Sequence, residues 1–440
     1  MSTNKPLIKL RDRDTIINAL RAGVVPRMGL QHIQVGRQRE IEAMIKDIRR
    51  VSEGGSSIRF VIGSYGAGKT FFLFLVRQIA LQSRLAVCQA DLSPDRRIHA
   101  TNGQARSLYA ELVRSLATRT APEGGALRNI LESYIQKANE VAFAKKIPIE
   151  TAIKDGLADI REMVAGYDFA SVIAAYARGY EEGNGELQDS ALRWLRGEYT
   201  TKTEARVDLG VRTILDDASF YDGLRLLAKF VRIAGFGGLL VCLDELVNLY
   251  KLQNSQARKQ NYEQILRILN DVLQGTTEGI GFILGGTPEF LLDTRRGLYS
   301  YEALQSRLAE NSFASSNLAD YTGPVIRLPS LTQEEMYHLL ERLRDVFASG
   351  LSENYLVPDE ALAAFMDHCA NTIGDAYFRT PRNTIKAFVD LLAIIEQNPD
   401  TQWSDLIEVV DLPEDNQGQS DLDLPETAID ENDELSSFRL

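Results

Sequence analysis

Residues Gly63, Ser64, Tyr65, Gly66, Ala67, Gly68, Lys69 and Thr70 spell G-x-x-x-x-G-K-T. Such a loop binds polyphosphate when it joins a buried strand to a helix. Its glycines let backbone N–H groups turn inward around a β-phosphate. The first turn of the following helix adds unpaired N–H groups and its dipole. Lys69 brings positive charge to the β/γ oxygens, and the Thr70 hydroxyl is a ligand for Mg2+. The implied ligands are ATP, or a related nucleoside triphosphate, and Mg2+. The competing reading, a glycine turn with no ligand, is disfavoured by the flanking pattern. Residues 58–62 form an apolar run, and residues 71–79 have helical character.

A second group of acids suits the same chemistry. Residues 239–243 are apolar and end in Asp244 and Glu245. Asp244 is a candidate holder of Mg2+, and Glu245 a candidate for polarising the attacking water. Phosphoryl transfer needs positioning and charge more than covalent help. Thr287 ends a further strand-like run, 280–284 followed by Gly285 and Gly286, and would orient the water with Glu245. Its rival role is that of a turn residue. The two glycines would remove side chains beside the γ-phosphate. Arginines are candidates for stabilising charge in the transition state. Arg307 is placed for a finger into a neighbouring subunit, with Arg295 and Arg296 as rivals. Arg379 and Arg382 open the last long helix, where one would touch the γ-phosphate of its own chain. An ordinary surface ion pair is the competing role for each arginine.

Strands alternating with helices must position these groups, which predicts an α/β fold with a parallel sheet flanked by helices. Residues 1–34 read as an amphipathic helix and an approach loop. The first part of the core spans 35–100 and the second part 221–330. Between them, 101–220 reads as a helical insertion, with Leu108, Leu112 and Leu116 on one face. Its mixed charge leaves a lid or scaffold and a partner-binding surface equally open. Residues 331–400 read as a small helical lid domain. Residues 401–440 read as an acidic, disordered tail.

The net charge of −12 is carried mainly by that tail. From Asp411 onward there are ten acids and one arginine, leaving a body net of −3. Body charge therefore neither requires nor excludes nucleic acid. No apolar stretch approaches the roughly 20 residues of a membrane span. The first residues lack the apolar core of a signal peptide. Cys88, Cys242 and Cys369 lie far apart in apolar surroundings, as in a reduced, cytoplasmic protein. The four histidines are scattered, which argues against zinc.

With these motifs placed, the chain resembles an AAA+ ATPase. Residues 35–40, VGRQRE, are similar to the segment that packs against adenine in origin-recognition initiators and related ATPases. Residues 243–249, LDELVNL, are similar to the same group. A fuller resemblance runs to about residue 400, through residues 16–27, 29–36, 300–308 and 379–382. It is to the ATP-binding proteins of bacterial BREX-type phage-defence systems. The resemblance implies that Val35 and Gly36 contact adenine, that Lys69 and Thr70 carry nucleotide and metal, and that Asp244 and Glu245 carry hydrolysis. It implies Thr287 as sensor one and Arg382 as sensor two, with Arg379 the alternative. It also implies a homo-oligomer, with DNA, a helicase and other proteins of the defence operon as partners. The first functional expectation is therefore an ATP-driven defence protein that acts on DNA or recruits a helicase. The second is a nucleotide-controlled protein switch that touches no nucleic acid. A small-molecule kinase fits the Asp-Glu strand end less well.

Overall fold

The computed structural model describes residues 7–311 and 320–409; the acidic stretch from Asp411 lies outside them. The chain divides into two compact units. One is Val25–Ser330, and the other joins residues 7–24 to residues 331–409.

The first unit is built on a five-stranded sheet. Its strands are β1 (Ser56–Ile62), β2 (Ala86–Asp91), β3 (Leu239–Asp244), β4 (Ile280–Gly286) and β5 (Val325–Arg327). They lie in the order β2-β3-β4-β1-β5, all parallel. Register places Ile62 opposite Gly286 and Asp91 opposite Asp244, so four strands end along one edge. In parallel sheets that edge is where ligands bind.

Alternation along each strand explains why the sheet is covered on both faces. Phe60, Ile62, Cys88, Val241, Leu243 and Phe282 enter one core. Val61, Val87, Leu240, Cys242 and Ile283 enter another, beneath helices Gln38–Ser52 and Lys69–Gln82. Strands buried on both faces read as continuous apolar runs, which is how they stood out in the sequence. β5 did not, because three residues are too few to show alternation.

The helical insertion is continuous with the first of these cores. Leu112, Ile130, Phe169 and Trp194 share a cluster with Phe60 and Phe282. The insertion is thus a buttress on one face of the sheet. A buried ion pair braces β1: Arg59 Nε donates to Asp47 at 2.5 Å, and the same guanidinium reaches the Gly323 carbonyl. Removing one partner from a buried pair of this kind costs about 3–5 kcal/mol.

In the second unit the N-terminal helix Leu10–Arg21 lies among C-terminal helices. Arg13 donates to the Phe347 carbonyl at 3.0 Å and pairs with Glu396, while Arg21 pairs with Asp390 at 3.0 Å. This helix, expected to go with the approach loop, joins the C-terminal helices instead. Long-range ion pairs of this kind leave no local signal. Helix Gln333–Phe347 begins with a capping box, Thr332 and Glu335 each satisfying the other's backbone N–H. A short helix, Trp403–Ile407, extends the unit past residue 400. No helix among the described residues is long and apolar enough to cross a membrane.

Candidate nucleotide site

The loop turns as its glycines require. Gly66 and Gly68 both have φ of 77°, in the left-handed region that L residues avoid. Gly68 caps helix Lys69–Gln82, which buries Phe72, Leu73, Val76 and Ala80 beneath the sheet. The helix is therefore anchored by packing, and its first turn is fixed at the sheet edge. Lys69 Nζ donates to the Gly63 carbonyl at 2.8 Å and the Ser64 carbonyl at 3.0 Å, which holds the ammonium at the loop's mouth. Partial desolvation lowers its pKa, against the opposing pull of Asp244, Glu245 and Glu289.

Asp244 is buried at the end of β3, only 3% exposed. Its Oδ2 accepts from the Thr70 hydroxyl at 3.0 Å, and its Oδ1 from the Glu245 N–H at 2.9 Å. Because β4 stands between β1 and β3, this carboxylate must pass over the end of β4. Gly285 makes that passage, since a Cβ there would lie 2.3 Å from Asp244 Oδ1. At Gly286 a Cβ would meet the Phe290 ring at 2.8 Å. The space left by the two missing side chains, expected beside a γ-phosphate, is taken by Asp244 and Phe290. The Thr70–Asp244 pair fits Mg2+, which typically takes one or two protein oxygens and completes its shell with water and substrate phosphate.

Glu245 follows in a left-handed conformation, φ 58°, rare for a residue with a side chain. It is exposed at the strand edge, yet its carboxyl is raised above the ordinary value, first by partial desolvation and then by Asp244 and Asp91. The carboxyl of Asp91, across from Asp244 at the end of β2, is also raised, first by partial desolvation and then by Asp244, with Arg96 opposing. Thr287 lies just past the end of β4. Its hydroxyl oxygen accepts from the Phe290 N–H at 3.4 Å and caps helix Pro288–Leu292. This is a turn-and-cap role, and it leaves the hydroxyl proton able to donate elsewhere.

The approach segment lies along the loop helix, with the Arg27 carbonyl accepting from Gln78 at 2.9 Å. Val35 is half-buried and Gly36 exposed, with φ of 60°. Arg307 is exposed, and its Nε donates to Asn270 at 2.6 Å. Asn270 is in the last turn of helix Ser255–Leu273, which leads to the start of β4. Arg307 is thus held toward the opposite end of the sheet from its own loop. Arg296 is tied to the carbonyls of Tyr250 and Leu252. Arg379 and Arg382 belong to the other unit. There Arg379 pairs with Asp375 at 3.0 Å, and Arg382 begins helix Arg382–Gln397.

Three residues at this site had no assigned role in the sequence reading: Asp91, Arg37 and, as a spacer for Asp244, Gly285. Asp91 had a partial signal, being an acid that ends an apolar run as Asp244 does. A cavity of about 750 Å3, lined by Arg84, Arg119, Asn129, Gln136, Tyr180 and Phe236, adjoins the insertion. Arg84 and Phe236 precede β2 and β3, so this cavity lies away from the phosphate loop.

A parallel α/β sheet with a phosphate loop after β1, and a buried aspartate reaching across to that loop's threonine, defines a P-loop nucleotide-binding protein. The family described as BREX system ATP-binding protein BrxC/D matches residues 8–411, and the chain belongs to this family. A comparison with curated proteins returns no match. The resemblance to BREX-type phage-defence ATPases therefore holds over nearly the whole chain.

Proposed function

We propose that this chain is a Mg2+-dependent ATPase of a phage-defence system, with hydrolysis completed across a subunit boundary. The observation that carries this reading is the contact of Asp244 with Thr70 beside Lys69 and Glu245. In it, Lys69 and the loop N–H groups hold the β- and γ-phosphates. Thr70, with Asp244 behind it, holds Mg2+, which offsets charge on the phosphate oxygens. Glu245 accepts the proton of the attacking water, and Thr287 donates from its hydroxyl to orient that water. Arg307 of one copy stabilises charge at the site of the next, and Arg382 or Arg379 reports nucleotide state to the C-terminal helices. The site is cytoplasmic in this account.

The energy is used on DNA, directly or by recruiting a helicase from the same defence operon. ATP turnover measured alone, with duplex DNA and with forked DNA tests this. Stimulation and salt-sensitive binding are expected. Absence of both at low salt contradicts the DNA part.

The near-neutral body favours a second reading, in which ATP binding switches a protein contact and hydrolysis only resets it. Defence assays separate the two. Defence lost in Lys69→Ala but kept in Glu245→Gln means that binding suffices.

A further inference from the structure

Arg37 stands beside the phosphate loop without belonging to its motif. It follows Gly36 and precedes helix Gln38–Ser52, and its backbone is left-handed, φ 59°. An L residue held in that region costs energy and persists only where its surroundings require it. Its Nη2 donates to the Ala67 carbonyl at 2.6 Å and to the Pro329 carbonyl at 2.9 Å. Ala67 is a loop residue immediately before Gly68. Pro329 lies just beyond β5, two residues before the second compact unit begins at Leu331.

We propose that Arg37 is a positioning residue for the phosphate loop, fixing the Ala67–Gly68 peptide and fastening the loop to the exit of β5. In a trans peptide the C=O and the next N–H point in opposite directions. By holding the Ala67 carbonyl outward, Arg37 turns the Gly68 N–H to the other side, toward the hollow of the loop. Lys69 holds the carbonyls of Gly63 and Ser64. Two cations thus orient three of the loop's carbonyls, one from inside the motif and one from outside it. The charge on Arg37 also strengthens its bonds to the carbonyls. Beyond the glycine's chain neighbours, the Arg37 Nη2 is also the heavy atom nearest to where a Cβ on Gly68 would lie, at an ordinary contact distance of 4.0 Å, so the guanidinium lies beside the loop.

The inference rests on the reading of this loop as the ATP site, not on hydrolysis. The experiment is equilibrium binding of ATP and ADP to the full chain, with steady-state turnover alongside. Both nucleotides carry the β-phosphate that the loop encloses. In Arg37→Ala the Kd for ATP and for ADP should rise together by about tenfold, the effect of one charge-assisted hydrogen bond. The kcat at saturating ATP should stay within about twofold of wild type. Arg37→Lys, which keeps a donor, should fall between the two. A Kd within twofold of wild type in Arg37→Ala overturns the proposal. So does a fall in kcat with Kd unchanged, because that would place Arg37 on the chemistry. Should Arg37→Ala not fold, Arg37→Met keeps the stem without the donors and is judged by the same criterion. A wild-type chain that binds ATP but does not hydrolyse it overturns the hydrolysis reading and leaves the binding comparison standing. Failure of the wild-type chain to bind ATP overturns both readings together.

Discussion

Asp244 reaches the phosphate loop only because residue 285 is glycine: a Cβ on Gly285 would lie 2.3 Å from Asp244 Oδ1. A strand stands between the two halves of the site, and the missing side chain is the gap through which they meet. Gly285→Ala should therefore push Asp244 off Thr70. A displacement of about 1 Å at a catalytic group can cost on the order of 100-fold in rate. The expected result is that loss in kcat/KM for Mg-ATP, with Mg2+ dependence shifted to higher concentration. The fold should survive, since overpacking of this size costs roughly 1–3 kcal/mol. Wild-type turnover in Gly285→Ala would show that Asp244 has no positional constraint.

The pH dependence follows from Glu245. Its carboxyl is raised from the ordinary 4.5 by partial desolvation and by the neighbouring Asp244 and Asp91 charges. A base acts only when ionised, so turnover should fall as pH drops through that raised value. The acid limb of kcat/KM, which reports the free enzyme, should thus lie above 4.5. Asp91→Asn removes one of the charges that raise Glu245 and should move the limb to lower pH. A limb that stays in place in Asp91→Asn separates Asp91 from Glu245.

Arg307 is held by Asn270 toward the far end of the sheet, so under the proposed function it would serve a neighbouring copy rather than its own loop. Arg307→Ala should bind ATP with unchanged Kd and lose about 10³–10⁵ in kcat, the range for an arginine finger. Mixing Arg307→Ala with Glu245→Gln should restore part of the turnover, because some interfaces then combine an intact Glu245 with an intact Arg307. No recovery in an assembled mixture rules out a finger acting between copies.

The local motifs and the strands that carry them were legible in the sequence, and the long-range geometry was not. Gly63–Thr70 and Asp244–Glu245 each sit at the end of an apolar run, and burial on both sheet faces makes such runs conspicuous. Asp91 ends a run of the same kind, but its role depends on β2 lying beside β3, which no local pattern encodes. Arg37 is an ordinary exposed-type residue until Ala67 and Pro329 are brought to it from 30 and 292 positions away. The three residues of β5 are too few to reveal a period. The place of the N-terminal helix is set by Arg13 and Arg21 meeting acids more than 360 positions later.

Under the proposed function one site binds ATP through Lys69 and hydrolyses it through Glu245. The most direct measurement is ATP binding and Mg2+-dependent phosphate release in wild type, Lys69→Ala and Glu245→Gln side by side. The predicted result is turnover in wild type, loss of binding in Lys69→Ala, and retained binding in Glu245→Gln with turnover reduced by at least about 100-fold. Phosphate release at the wild-type rate from Glu245→Gln, or unchanged ATP affinity in Lys69→Ala, would contradict it.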